Sequence, residues 1–359
     1  MAHIIAAQRT AVVPRAGAFA RLSIEALGSA VVRACLLAAK VDAAQVSELI
    51  VSNALGAGGN PARRVALAAG LPDRVAGLTI DRQCAGGLDA ILLARALVDS
   101  GAAEIVLAGG VESYSRRPLR FATDPDGGPP LAYDEAPFTP WPDREPGMAE
   151  AADALAHRFG ISRAQQDAWA VESHRKAMTA NHFAEITALN GVVRDPFARA
   201  LSPAVAARAP VVSGSITAAT AAVAADAAAF VLVVSDRVAA RAPHSLRIVA
   251  GTTLGADPMT PAMAPLAAIR AVWQAEPLAM AEVMEAYAVQ AIATVQAAGL
   301  DRAIVNPGGG ALARGHPIGA SGAILAVRLF HGLHTGHGLA AIAAAGGLGS
   351  ALLVEASGA

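Results

Sequence analysis

Two stretches of this chain are apolar at almost every successive position, and they restrict the fold more than anything else in it. Glu104 to Ala108 has no polar residue after its first, and Ala227 to Ser235 is apolar up to its last, with strong β-branched character. A strand with one solvated face alternates apolar and polar residues. One without alternation is buried on both faces, as in a sheet covered by helices. The core available to such a sheet is small and aliphatic. Of 359 residues, 54% are hydrophobic but only 4% aromatic, and 34 glycines permit close backbone approach. With 16% charged residues, the chain is not disordered.

Helical and strand-like segments alternate around these strands. Ile4 to Ala7, Glu48 to Ser52 and Leu78 to Arg82 read as strands, and Ser23 to Lys40 as a helix capped by Ser23. The third strand runs directly into Cys84, and Gly86 to Ser100 then reads as a helix. The middle differs: Arg116 to Glu145 is rich in Pro, Gly and Asp, as an excursion from a core would be. Glu150 to Phe159 and Ser162 to Asn181 read as helices, the second with Ser162 and Gln165 at capping-box spacing. After an irregular stretch from Asn190 to Thr220, alternation resumes beyond Leu246. There Arg247 to Gly251 is a strand, and Ala264 to Gln274 and Met280 to Ala298 are helices. Leu339 to Val354 is shorter than the roughly 20 residues a bilayer requires. Its glycines point instead to buried strands joined by a tight turn.

A faint repeat runs through this pattern. Gln83-Cys84 followed by Ile91 to Arg95 resembles His316-Pro317 followed by Ile324 to Arg328. Each precedes an apolar strand ending in paired glycines, Gly109-Gly110 and Gly346-Gly347. The repeat suggests two similar α/β halves facing each other, with Cys84 and His316 at equivalent strand-to-helix corners, where sites often lie.

Charge and cysteine content narrow the function. Lys+Arg number 28 against 29 Asp+Glu, which gives no general hold on nucleic acid. Cys35 and Cys84 are too few for a disulfide framework and suit a reducing, cytoplasmic setting. The N-terminus lacks the basic and apolar regions of a signal peptide, and no membrane association is expected. His331, His334 and His337 recur every third position, but neighbouring glycines and the lack of a nearby carboxylate argue for a solvated helix end, not a metal site. Asp124-Pro-Asp126-Gly-Gly reads as a turn because the spaced ligands of a calcium loop are missing.

Cys84 is the leading candidate for chemistry. Free N–H groups at a helix start lower a thiol pKa and can hold the oxyanion of a thioester under attack. A buried, inert cysteine is the alternative; Cys35, inside an apolar helix, fits that description better. His316 closes a glycine-rich loop from Asn306 and is followed by rigid Pro317, so it could activate a cysteine or donate to an oxyanion. The loop's spacing fits neither the dinucleotide fingerprint nor the phosphate loop.

Asp81-Arg-Gln-Cys-Ala-Gly-Gly-Leu-Asp89 and Gly308-Gly-Gly-Ala-Leu-Ala-Arg-Gly-His-Pro-Ile-Gly-Ala-Ser-Gly322 resemble the thiolase family. Gly160 to Ala177, Val106 to Ser113, Gly214-Ser-Ile-Thr-Ala218 and Glu285-Ala-Tyr-Ala288 are similar to thiolase segments in the same order. The resemblance implies an α/β, thiolase-like fold of two similar halves with buried mixed sheets and an inserted helical loop domain. It places the first half at residues 1–118 and 224–245, the insertion at 119–223 and the second half at 246–359. It implies coenzyme A thioesters as substrates, no cofactor, and a homodimer or homotetramer. Cys84 would take the acyl group, His316 would activate it, and the backbone N–H groups of Cys84 and Ala345 would form an oxyanion hole. Met148, Ala222, Met284 and Gly346 would contact substrate.

Three departures bear on mechanism. The family's second cysteine, which exchanges the substrate α-proton, corresponds to Ala343; its Asn-Glu-Ala-Phe becomes Met284-Glu-Ala-Tyr287; its Gly-Asn-Ala-Ser becomes Ala219-Thr-Ala-Ala222. A missing general base typically costs 10²–10⁴-fold and a missing oxyanion donor roughly 10²–10³-fold. Condensation then needs another base; Glu285 and Tyr287 are near in sequence. The expected function is a short-chain acyl-CoA acyltransferase working through acyl-Cys84, of the acetyl-CoA acetyltransferase type. Its rivals are a thiolase-like enzyme that passes the acyl group to another acceptor or water, and a non-catalytic CoA-binding protein.

Overall fold

A computed structural model describes residues 1–56, 58–274 and 276–356. Its strands are β1 (Ala2–Arg9), β2 (Glu48–Ser52), β3 (Leu78–Ile80), β4 (Ile105–Glu112), β5 (Ala225–Ser235), β6 (Leu246–Gly255), β7 (Leu278–Val283), β8 (Gly336–Ala344) and β9 (Leu348–Ala356). The principal helices are α1 (Ile24–Ala39), α2 (Pro61–Ala69), α3 (Gly86–Asp99), α4 (Met148–Phe159), α5 (Arg163–Thr179), α6 (Ala264–Val272), α7 (Ala288–Ala298) and α8 (Ile318–Gly332).

The strands lie side by side in the order β7-β8-β9-β6-β1-β5-β4-β2-β3, and a two-residue strand, Val13–Pro14, pairs separately with β5. The repeat suspected from sequence is visible in the pairing. In the first half β2 and β4 are parallel, β4 and β5 antiparallel, β5 and β1 antiparallel. In the second half β7 and β8 are parallel, β8 and β9 antiparallel, β9 and β6 antiparallel. The halves join where His3 and Ile4 pair with Arg247 and Leu246.

The missing alternation has a direct structural cause. Along β5, Ala227, Ala229, Val231 and Val233 enter one core, while Ala228, Phe230, Leu232 and Val234 enter another. In β4, Val106 and Ala108 join the first, Ile105 and Leu107 the second. The first core lies between the halves and is built around α3 and α8. The second lies under α1 and α2; a third covers the opposite half under α6 and α7. Each fully buried Val, Leu or Ile contributes about 1.5–3 kcal/mol, which favours this double burial.

Helices α3 and α8 approach closely because glycine faces glycine. A Cβ on Gly87 would stand 2.5 Å from the Ala323 nitrogen, and one on Gly322 would stand 2.5 Å from the Leu88 nitrogen. The contact brings the starts of both helices, and hence Cys84 and His316, to one place.

The capping box of α5 forms as expected, with Ser162 accepting from the Gln165 N–H and Gln165 accepting from the Ser162 N–H. The helix anticipated over Met280–Ala298 is corrected: Leu278–Val283 is strand β7, and the helix begins at Ala288. Burial beside β8 overrides the helical pattern of the short apolar run. The excursion after Arg116 contains a small hairpin, Arg120–Ala122 with Leu131–Tyr133. No described helix is long and apolar enough to cross a membrane.

Candidate active site

Strand β3 ends at Ile80, and a short turn, Gln83–Ala85, delivers Cys84 ahead of α3. Asp81 accepts from the Gln83 N–H at 2.9 Å, and Gln83 takes a left-handed φ of 49°. The sharp bend directs the thiol into a cleft of about 490 Å³.

His316 meets Cys84 from the other half, with Nε2 3.1 Å from Sγ. Its Nδ1 lies 2.7 Å from the Ser321 hydroxyl, which fixes the ring plane. The segment before β5 holds the site by its backbone: the His316 N–H donates to the Val223 carbonyl at 2.8 Å, and the Ala222 N–H to the Ala286 carbonyl at 2.9 Å. The substituted Ala222 therefore contributes through its main chain.

The thiol behaves differently from the sequence-based expectation of a lowered pKa. Burial pushes Cys84 up to about 12; the N–H groups of Cys84 and Ala345 act the other way, and Glu112 and Asp81 add a smaller upward push. Burial also lowers His316 to about 4. Burial therefore favours a neutral thiol beside a neutral imidazole in the resting pair. Cys35 is fully buried, its thiol donates to the Phe230 carbonyl at 3.3 Å, and it is absent from the cleft.

Ala343, Ala345, Met148 and Ala222 all line the cleft. Met284 does not: it is 2% exposed and packs in the core between the halves, where a flexible thioether fills apolar space. Gly346 occupies the β8–β9 turn with φ of 78°, also outside the cleft wall. Glu285 is buried outside the cleft wall. It accepts from Trp169 Nε1 at 3.0 Å, Ser173 Oγ at 2.7 Å and Asn306 Nδ2 at 2.8 Å, tying α5 to the His316 loop. Tyr287 lines the cleft, but burial holds its phenol at about 12, so it is a poor base.

Glu112 was not anticipated from sequence. It accepts from Asn53 Nδ2 at 2.8 Å, the Ala54 N–H at 3.0 Å and the Gly319 N–H at 3.1 Å, pinning the start of α8. Burial raises its carboxyl to about 7, against the pull of these donors. Its one sequence signal was a lone carboxylate closing an apolar strand. Arg117 lines the cleft and pairs with Asp134. The spaced histidines do not converge, and among the described residues no group of His, Cys, Asp or Glu could hold a metal ion.

A cysteine within hydrogen-bond reach of a histidine, carried by matching helix starts of a duplicated α/β fold in one cleft, is the arrangement of a nucleophile and its base. The comparisons agree. The thiolase N-terminal domain matches residues 2–237 and the thiolase C-terminal domain matches residues 243–356. The chain belongs to the thiolase family and is an acyltransferase. It is similar to the acetyl-CoA acetyltransferase of Cupriavidus necator, at 36% identity over 98% of each chain. Among solved structures it is similar to the Acat5 thiolase of Ascaris suum in complex with coenzyme A, with a TM-score of 0.91 and 29% identity over 99% of each chain. It is also similar to the Bacillus anthracis acetyl-CoA acetyltransferase, with a TM-score of 0.90 and 31% identity over 99% of this chain and 98% of the other.

Proposed function

We propose that this protein transfers short acyl groups from coenzyme A thioesters through an acyl-Cys84 intermediate, in the manner of an acetyl-CoA acetyltransferase. The observation that carries the reading is the 3.1 Å approach of His316 Nε2 to Cys84 Sγ at the cleft floor. Attack by sulfur on the thioester carbonyl passes the thiol proton to Nε2, and the imidazolium returns it to the departing CoA sulfur. The N–H groups of Cys84 and Ala345, which act on the thiol, would receive the carbonyl oxygen as it gains charge. The C–S bond of the donor breaks as the bond to Cys84 forms.

Intact-mass spectrometry after mixing with acetyl-CoA tests this. An acetyl adduct that disappears in Cys84→Ala supports it, and a folded wild type that never acquires the adduct from acetyl-CoA or acetoacetyl-CoA removes it. A second reading, transfer to a different acceptor or to water, draws on Ala343, whose methyl lines the cleft where the family carries a proton-exchanging thiol. An adduct that turns over without condensed product favours that reading.

A further inference from the structure

Condensation requires a base at the α-carbon of the second thioester, and the position that supplies it in the family is Ala343. The carboxylates of the cleft wall are therefore the groups to weigh. Asp81 is engaged with the Gln83 N–H, and Asp134 with Arg117. Glu285 lies outside the wall, clamped among Trp169, Ser173 and Asn306. Glu112 is buried beneath it, satisfied by main-chain donors. Glu135 remains. It follows the hairpin strand Leu131–Tyr133, lines the same cleft as Cys84, His316 and Ala343, and has no hydrogen-bond or ion-pair partner among the described residues.

We propose that Glu135 is the general base that takes the α-proton of the acceptor thioester, in place of the thiol absent at residue 343. Three observations place it. It shares the cleft lining with the reacting pair. Tyr114 and Tyr287, whose phenols the charges of Glu135 and Cys84 both push upward, line the same cleft. The residue is exposed to solvent, so a proton it accepts can exchange with water.

The step balances with the groups present. The Glu135 carboxylate removes a proton from the methyl carbon of acetyl-CoA and becomes a carboxylic acid. The enolate carbon bonds to the carbonyl carbon of acyl-Cys84, and the tetrahedral intermediate collapses by breaking the C–S bond to Cys84. The released thiolate takes a proton through His316, Glu135 gives its own to solvent, and the enzyme returns to its starting state.

This inference rests on the acyl-Cys84 reading, so the test reads the two half-reactions separately. Acetyl-CoA is incubated with the enzyme in deuterium oxide. Acetyl-Cys84 is followed by intact mass, methyl deuteration of acetyl-CoA by NMR, and acetoacetyl-CoA by chromatography. Wild type should acylate, exchange and condense. Glu135→Gln should still form acetyl-Cys84, which shows that it is folded, while exchange and condensation both fall roughly 10²–10⁴-fold. Glu135→Asp should recover part of both. Exchange and condensation at wild-type rates in Glu135→Gln would overturn the assignment, and so would a wild type that acylates but neither exchanges nor condenses. Absence of acetyl-Cys84 in wild type would instead overturn the underlying reading.

Discussion

The Ser321 hydroxyl lies 2.7 Å from His316 Nδ1, one turn into the helix whose start presents the imidazole to Cys84. A hydroxyl both donates and accepts, so this contact serves either ring tautomer. It accepts from Nδ1–H when Nε2 must take the thiol proton, and it donates to Nδ1 when Nε2–H faces an oxygen. Ser321→Ala leaves the ring without that partner in both steps. Acylation of Cys84 should slow by about tenfold to a hundredfold, while His316→Ala should slow it roughly 10²–10⁴-fold. Stopped-flow release of CoA measures both; an unchanged rate in Ser321→Ala would mean that packing alone orients the ring.

The pKa of the resting thiol makes a second prediction. With Cys84 at about 12, little thiolate exists near neutral pH, and the free enzyme is a slow nucleophile toward iodoacetamide. Alkylation of Cys84 should keep climbing, about tenfold per pH unit, well past the 8.5 or so at which an ordinary thiol levels off. Peptide mass spectrometry across pH, with buried Cys35 as internal reference, checks it. A plateau at or below pH 8 would show that the helix-start donors dominate after all.

Glu112→Gln tests the brace behind the site. An amide keeps one acceptor but turns its NH₂ toward N–H donors, so buried donors lose partners. A stability loss of roughly 1–3 kcal/mol is expected. Because one of those donors is Gly319 at the start of α8, acylation should slow along with the melting shift. A variant equally stable and equally fast would show that the start of α8 holds itself.

Glu282 predicts a pH dependence of stability. It is fully buried, neither carboxylate oxygen has a hydrogen bond, and burial raises it from 4.5 to about 7 although Arg328 and Arg314 pull the other way. Below 4.5 both folded and unfolded chains hold this proton, so it contributes no pH dependence. Between 4.5 and 7 the unfolded chain releases the proton while the folded chain keeps it, so folding stability falls as pH rises; above 7 the loss is complete. Glu112 adds in the same direction over the same window. Melting curves of Glu282→Gln should therefore decline less steeply across that interval than those of wild type, and a parallel decline would refute the assignment.

Restoring a thiol makes the last prediction. Ala343→Cys places sulfur in the cleft wall beside the reacting pair, where the family carries its proton-exchanging cysteine. Deuterium exchange into acetyl-CoA should rise at least about tenfold and become less sensitive to Glu135→Gln, since a second base is then available. No gain would mean that the wall at this position no longer faces the α-carbon.

Much of this was legible from residues alone, for identifiable reasons. Cys84 and His316 stood out because glycine, proline and a strand-to-helix change mark such corners locally. The β5 core was legible because double burial removes alternation, and the α5 cap because its two partners are three residues apart. Other features depend on distant encounters. Met284 turned out to be core because the halves close over it, and β7 became a strand because β8 lies beside it. The raised thiol pKa reflects burial by both halves, which no local spacing encodes. Glu135 sits in a Pro- and Gly-rich excursion whose path toward the cleft is set by tertiary structure.

The pairing of Cys84 with a residue 232 positions further on also sets a schedule. At the usual ribosomal pace of about 5–20 residues per second, the cysteine is made roughly 10–50 s before the histidine that completes its site. During that interval the nascent chain holds a thiol with no proton acceptor from the second half, and the start of β1 waits about as long for the strand that flanks it, as the pairing of Ala2 with Ser235 requires. A chain that stops short of residue 316 therefore lacks the thiol–imidazole pair, and the chemistry waits until that histidine has been made and folded into place.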